Sequence, residues 1–311
     1  MRVLCIIIGL IWIEASFGFV GCAIPSFRRP SVDLRKSMFS VRSSRLYDQV
    51  APATQNIEAL NEALESMSQI KNVKCKVGPS SSGFRYGLIA TQNIRRGDTV
   101  ISVPNDFCLT GKKARKVFSE LGCINEKKYD GWTGDLGLIA LLLLRERAKL
   151  DPSYDDSYVS KEDSSKKDLF REWASSLPSI AELSDCDGAL PLMWNEDDQE
   201  ILQSSSTKKI YKVLDDFDED ATWWQEKIWS KNRRLFPEKD NMGQPCFTIE
   251  GFKWALAISM SRTYFVDGEL KLCPIVDFAN HNDFDALEVD AGFFGTFGTT
   301  AGGKLQVIFH S

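Results

Sequence analysis

The segment Asp277-Phe-Ala-Asn280-His281 gathers a carboxylate, an amide and an imidazole directly after the apolar run Leu272 to Val276. Polar groups concentrated at the edge of a buried segment need partners or a ligand. Arg262, in the pair Ser261-Arg262, closes a helix-like apolar run (Phe252, Trp254, Ala255, Leu256, Ile258, Met260), and Asp267-Gly268 marks a turn between that run and the polar cluster. Taken alone, Asp-x-x-Asn-His also fits a polar turn that caps a following helix, with Asp277 or Asn280 as the N-cap.

The elements that must position these groups are legible on both sides of a long helical block. Ile57, Leu60, Leu64 and Met67 recur at helical spacing, so an amphipathic helix covers Ile57 to Gln69. Val73 to Val77 alternates as a strand, Gly78 to Gly83 reads as a loop, and Gly87 to Ala90 and Thr99 to Val103 read as strands around an Arg96-Gly97 turn. From Leu109 to Met260 the pattern is almost all helix; Leu136 to Leu144 is apolar on every side and belongs inside the protein. Asp151 to Lys167 reads as a polar loop, and Lys304 to Phe309 as a further strand. The aromatic residues Phe170, Trp173 and Trp194 are expected to serve mainly as packing.

Composition narrows the function. Of 311 residues, 43% are hydrophobic and 26% charged, as in a globular protein. Beyond residue 50 the chain holds 31 basic and 40 acidic side chains, and an acidic body without a long basic stripe argues against nucleic-acid binding. The densest basic cluster, Lys112 to Lys116, reads as a solvated helix face. The 8 cysteines are scattered, no C-x-x-C occurs, and with only 2 histidines no metal-ligand spacing exists.

At the N-terminus, Arg2 precedes the apolar run Val3 to Ile13, which has signal-peptide length and is by itself too short to span a membrane, with a signal anchor over residues 3–24 as the alternative. Ile24 to Ala53 is rich in Ser and Arg and poor in acids, a transit-peptide composition. Together they resemble the bipartite presequence of algae with secondary plastids, with Ala15-Ser-Phe17 or Gly21-Cys-Ala23 as the cleavage junction. Residues 1–53 are therefore expected to be a targeting presequence leading to the plastid, with the secretory pathway as the alternative, and no membrane span is expected in the mature protein.

Ser261-Arg262 followed by Pro274-Ile-Val-Asp-Phe-Ala-Asn-His281 resembles the central signature of SET-domain methyltransferases, in the subfamily of the plant Rubisco large-subunit lysine methyltransferases. The strands around Gly87 resemble the opening of that fold, although Phe84-Arg85-Tyr86 stands where the family usually has a second Gly. Phe170 to Pro178 and Pro191 to Trp194 resemble its helical insertion. The resemblance implies an α+β fold over 54–311, a β-rich SET fold with a helical insertion at about 110–247. It also implies S-adenosylmethionine as cofactor and a protein substrate with a target lysine. Arg262 would face the cofactor carboxylate and Asn280 and His281 its amino-acid portion, with Asp277 orienting that wall and Arg85 and Tyr86 contributing backbone atoms. No Tyr follows Tyr264, so the family's tyrosine beside the substrate nitrogen has no counterpart and the catalytic residue is unassigned. The expected reading is a C-terminally truncated SET domain lacking the helical substrate-binding domain. Its activity is either plastid protein-lysine methylation or, alternatively, non-catalytic cofactor or protein binding.

Such chemistry makes a definite demand. A lysine of ordinary pKa is only roughly 0.4% neutral at pH 8, so a methyl-transferring site must favour the neutral amine through low-dielectric walls and nearby positive charge.

Overall fold

The structure is a computed structural model that describes residues 51–80, 86–95, 97–123, 132–151, 154, 164–184, 191–193, 219–266, 268–279, 287–290, 299–300 and 304–309. The chain divides into two compact units, Met1–Thr54 and Gln55–Ser311. Residues 1–50 of the expected presequence lie outside the described residues, and 51–53 open the first helix.

That helix, α1 (Ala51–Ser66), buries Ile57, Leu60 and Leu64 on one stripe, as their spacing requires. It ends before the predicted Gln69: Met67 and Ile70 follow in tight turns, and Asn72 takes a positive φ of 55°. Asn61 ties α1 to the first strand by copying a strand partner. Its amide donates to the Val77 carbonyl and accepts from the Val77 N–H, both at 2.9 Å.

β1 (Cys75–Pro79) and β2 (Tyr86–Ala90) form an antiparallel pair in which Gly78 faces Gly87 and Pro79 faces Tyr86. Gly78 and Pro79 are thus strand residues, not loop as predicted. Pro is tolerated there because it closes the strand on a two-stranded edge. The segment 71–74 bonds to β3 (Thr99–Pro104) through Lys71, Ser102, Lys74 and Val100, which joins the pair to a second sheet. In that sheet β3 pairs with β9 (Lys304–Phe309), and β9 pairs with β7 (Leu287–Asp290) and β8 (Thr299–Thr300). The β3–β9 register runs from Thr99↔Ile308 to Pro104↔Lys304, with an irregularity between Thr99 and Ile101. A third sheet has the order β4 (Leu109–Thr110), β6 (Glu269–Leu272), β5 (Thr263–Val266). In both larger sheets, segments on either side of the helical block are hydrogen-bonded to each other.

The block holds α2 (Gly111–Glu120), α3 (Trp132–Ala148), α4 (Ser164–Ser176), α5 (Ile180–Ser184) and α6 (Ile249–Arg262), with further helical turns over 219–227. Every residue of α3 from Leu136 to Ala148 is buried, and the helix packs against α6, α2, α4 and the β4–β6 pair. Its buried charged end is matched. Arg147 donates from Nε to Asp240 Oδ2 at 2.7 Å with its guanidinium 4.2 Å above the Trp254 ring, while Asp240 Oδ1 accepts from Met242 N and Gln244 N. The all-helical expectation needs three corrections. Leu109–Thr110 is a strand, Ser164 to Lys167 belong to α4 and not to the predicted loop, and 228–248 is a chain of turns broken by Pro237, Gly243 (φ 75°) and Pro245.

Candidate functional site

Arg262 and Asp277 are brought together by a helix, a hairpin and a short turn. Thr248 caps α6 by accepting from Gly251 N at 3.0 Å, and a Cβ at Gly251 would collide with the Cys246 carbonyl, so the helix starts tightly against the preceding turn. Eight of the fourteen α6 residues are buried, which fixes the helix to the core and places Arg262 as its last residue. The chain continues at once into β5. It reverses at Gly268, whose φ of 78° suits a tight hairpin, and returns as β6, with Thr263 opposite Leu272. Cys273 and Pro274 lead into the 3-10 turn Val276–Phe278, at which Asp277 faces back toward Arg262.

The resulting contacts are specific. Arg262 Nη1 donates to Asp277 Oδ2 at 3.0 Å and to the Asp277 carbonyl at 3.4 Å, and its guanidinium lies 5.5 Å from the Phe278 ring centroid. The other carboxylate oxygen, Oδ1, accepts from the indole Nε1 of Trp173 on α4 at 3.1 Å. Tyr264 Oη donates to the Val276 carbonyl at 3.1 Å, bracing the turn from β5. The Asp277 side chain is fully buried, whereas 23% of Arg262 remains accessible. Burial pushes the Asp277 carboxyl above its ordinary range, and Arg262 and Trp173 offset only part of that rise. Burial and the Asp277 charge likewise push the Tyr264 phenol up, so it stays a neutral donor.

Ile275, just before the turn, has φ 73° and ψ −50°, a strained conformation for a β-branched residue that glycine would adopt freely. Its side chain is nonetheless buried in the core, and packing is what holds the backbone there. Behind the turn, Cys108 and Cys273 fall opposite each other one step beyond the Leu109↔Leu272 pair. Both are buried, and burial together with the neighbouring Cys108 keeps the Cys273 thiol protonated.

Of the predicted site residues, the structure joins Arg262 and Asp277 directly, and β2, which carries Tyr86, packs with Cα atoms within 8 Å of the Val276–Phe278 turn. Arg85, Asn280 and His281 lie outside the described residues. Asp277 heads no helix: it belongs to the 3-10 turn, and its carboxylate is spent on Arg262 and Trp173. Trp173 packs in the core as expected and carries a polar contact in addition. A buried indole N–H needs an acceptor, and that requirement was the available signal; the sequence did not say which acceptor. Among the described residues, no group of three or more His, Cys, Asp or Glu is placed to hold a metal ion.

The chain is similar in fold to the SET domain of LSMT bound to lysine and AdoHcy, with a TM-score of 0.53 and 22% identity over 84% of this chain. The chain carries a SET-domain fold similar to that of Rubisco LSMT. A second solved structure, Rubisco LSMT bound to AdoMet, matches with a TM-score of 0.52 at 20% identity over 83% of the chain. In sequence, the chain is 25% identical over 218 residues to the chloroplastic Ribulose-1,5 bisphosphate carboxylase/oxygenase large subunit N-methyltransferase of Nicotiana tabacum. No family model matches. This SET-domain chain spans about half the length of the solved relatives (51% and 52%) and 36% of the tobacco protein.

Proposed function

We propose that this SET-domain chain binds S-adenosylmethionine and belongs to a protein-lysine N-methyltransferase. The observation that carries the reading is the Arg262–Asp277 pair. A guanidinium is held by a wholly buried carboxylate and stays partly accessible, on a turn that packs near β2, in a fold whose solved members hold AdoMet or AdoHcy.

The donor set fits such a ligand. Arg262 offers a fixed cationic fork of the kind that pairs with a carboxylate, and Asp277 prevents it from swinging into solvent. Asn280 and His281 would hold the amino-acid portion, and Arg85 and Tyr86 would contribute backbone groups. When bound, the cofactor supplies an activated methyl on a sulfonium. The chain's own part is to orient the ligand, exclude water, and keep the acceptor lysine neutral. The last of these is served by the apolar wall of Val276, Phe278 and Leu272, all buried.

The acceptor is a lysine on a protein, a Rubisco-type substrate being one option. The compartment is the plastid, reached through residues 1–53, and 54–311 forms the SET domain with its helical insertion at about 110–247. The chloroplastic location of the tobacco relative and the lysine bound to one solved relative support these choices. Among the described residues no helix is long and apolar enough to cross a membrane.

The test is calorimetric titration of S-adenosylmethionine into the 311-residue chain and its Asn280→Ala variant, followed by transfer of labelled methyl to plastid extract. A longer form whose added segment supplies the tyrosine expected beside the substrate nitrogen is assayed in parallel. Micromolar binding that Asn280→Ala weakens, with methyl-lysine formed by at least the longer form, is expected. Absence of binding refutes the cofactor assignment, and binding without transfer by either form refutes the enzyme assignment in favour of a binding module.

A further inference from the structure

α4 touches the proposed cofactor wall through a polar contact from Trp173, and the geometry of that contact goes beyond packing. Trp173 is completely buried on α4, with the Phe170 ring edge-on to it at 6.0 Å and Phe107 stacked on Phe170 at 6.4 Å. Ser176 Oγ donates to the Trp173 carbonyl at 2.7 Å. A ring confined in this way has one direction for its N–H, and that direction is Asp277 Oδ1. We propose that Trp173 is a positioning residue for the cofactor site: its indole N–H holds the Asp277 carboxylate in the orientation that seats Arg262.

The proposal rests on the cofactor-binding role of Arg262 and Asp277. Indole is a donor only, so Oδ1 must present a lone pair to it, while Oδ2 must present one to Arg262. Each donor is a better partner for the charged carboxylate than for the neutral acid, so both bonds weaken when the carboxyl takes up a proton. The pair of donors therefore opposes the burial that favours the neutral acid. Phenylalanine at 173 keeps an aromatic ring and removes the N–H; the cavity left by the smaller ring weakens the protein independently of pH, so the shape of the pH profile isolates the lost donor. The ionisable groups around Asp277 are Arg262 from α6, Tyr264 from β5 and Cys273 after β6, with Cys108 and Lys271 acting on Cys273. Tyr86 lies on the adjoining β2. The difference between wild type and variant is what is read.

The experiment measures S-adenosylmethionine affinity between about pH 5.5 and 8.5 for wild type, Trp173→Phe, Asp277→Asn and the double variant, all in the full chain. Trp173→Phe is expected to shift the acidic fall in affinity to higher pH. On the acidic side of that fall it should bind about tenfold more weakly than wild type, the worth of one hydrogen bond to a charged group, with a smaller loss on the alkaline side. Adding Trp173→Phe to Asp277→Asn should change the pH profile no further. Parallel profiles offset by a constant factor would mean a merely structural role and overturn the proposal. Wild type that fails to bind at any pH overturns the functional reading and this inference with it, whereas wild-type binding with an unmoved Trp173→Phe profile overturns the inference alone. Should Trp173→Phe not fold, the indole N–H resonance of Trp173 in wild type decides. It must titrate together with affinity and cease to titrate in Asp277→Asn; a static resonance overturns the proposal.

Discussion

Replacing Arg262 with Met removes the cation from a carboxylate that has no access to water. In Arg262→Met the Asp277 side chain keeps the Trp173 N–H as donor, and its folded-state pKa, already raised by burial, must rise further. Losing one partner of a buried pair costs about 3–5 kcal/mol in general. Because 23% of Arg262 is accessible and partly solvated, about 3 kcal/mol at neutral pH is appropriate here, or roughly 6–12 °C in Tm for a unit of this size. The sign of the pH dependence follows from the raised pKa. Below the unfolded carboxyl value, Asp277 is protonated in folded and unfolded chains of both proteins, and the variant suffers only lost packing. The charge-related deficit opens as pH rises through the wild-type folded pKa and levels off above that of the variant. Urea midpoints from pH 4 to 9 for wild type, Arg262→Met, Asp277→Asn and the double variant measure it, and the double variant should show no pH-dependent deficit. A deficit that is flat with pH, or that grows on acidification, would refute the idea that the Arg262–Asp277 pair is what stabilises this turn.

Three other outcomes follow from the described geometry. At Ile275 the usual ranking of alanine over glycine should invert: both variants lose the buried side chain, but only the glycine variant escapes the strain of the positive φ, so Ile275→Gly should unfold at equal or higher urea than Ile275→Ala. Gly251→Ala forces a methyl against the Cys246 carbonyl and should cost about 1–3 kcal/mol by thermal unfolding, despite alanine's better helix propensity. Among Cys75, Cys108, Cys123, Cys246 and Cys273, iodoacetamide at pH 8 should reach the half-buried Cys123 first. Cys246, whose thiol burial pushes up to about 12, and Cys273 should react only after unfolding, as read by mass spectrometry of timed digests.

The fold was most legible where one periodicity ruled a whole element. Leu136 to Leu144 announced a fully buried helix because no polar face interrupts it, and Ile57, Leu60 and Leu64 announced α1 by spacing alone. Legibility failed at Leu109–Thr110, where a two-residue strand exists only because β6 supplies its partner from far along the chain. It failed also at Gly78-Pro79, whose turn-forming residues are overridden by pairing with β2. For the site, Arg262 and Asp277 were readable as types at a hairpin's two ends, and their contact is the hairpin's doing. Trp173 was not readable as a polar participant, because its direction depends on how Phe107 and Phe170 wedge it. Nor was Ile275, since nothing in an apolar run signals a left-handed backbone.

The pairing of β3 with β9 sets a clock on the molecule's birth. Among the described residues, β3 has no strand partner besides β9, and only the short segment 71–74 otherwise bonds to its backbone. Its register partners emerge from the ribosome roughly 200 residues later, about 10–40 s at ordinary rates of synthesis. For that interval Ile101 and Val103, completely covered in the finished protein, line a strand edge that any other extended chain can join. Closing so distant a pair last makes folding slow and all-or-none at its final step. The nascent protein is therefore a natural client for chaperones that shield open strands, and its yield in a foreign host should respond more to the pace of translation than to the stability of the finished fold.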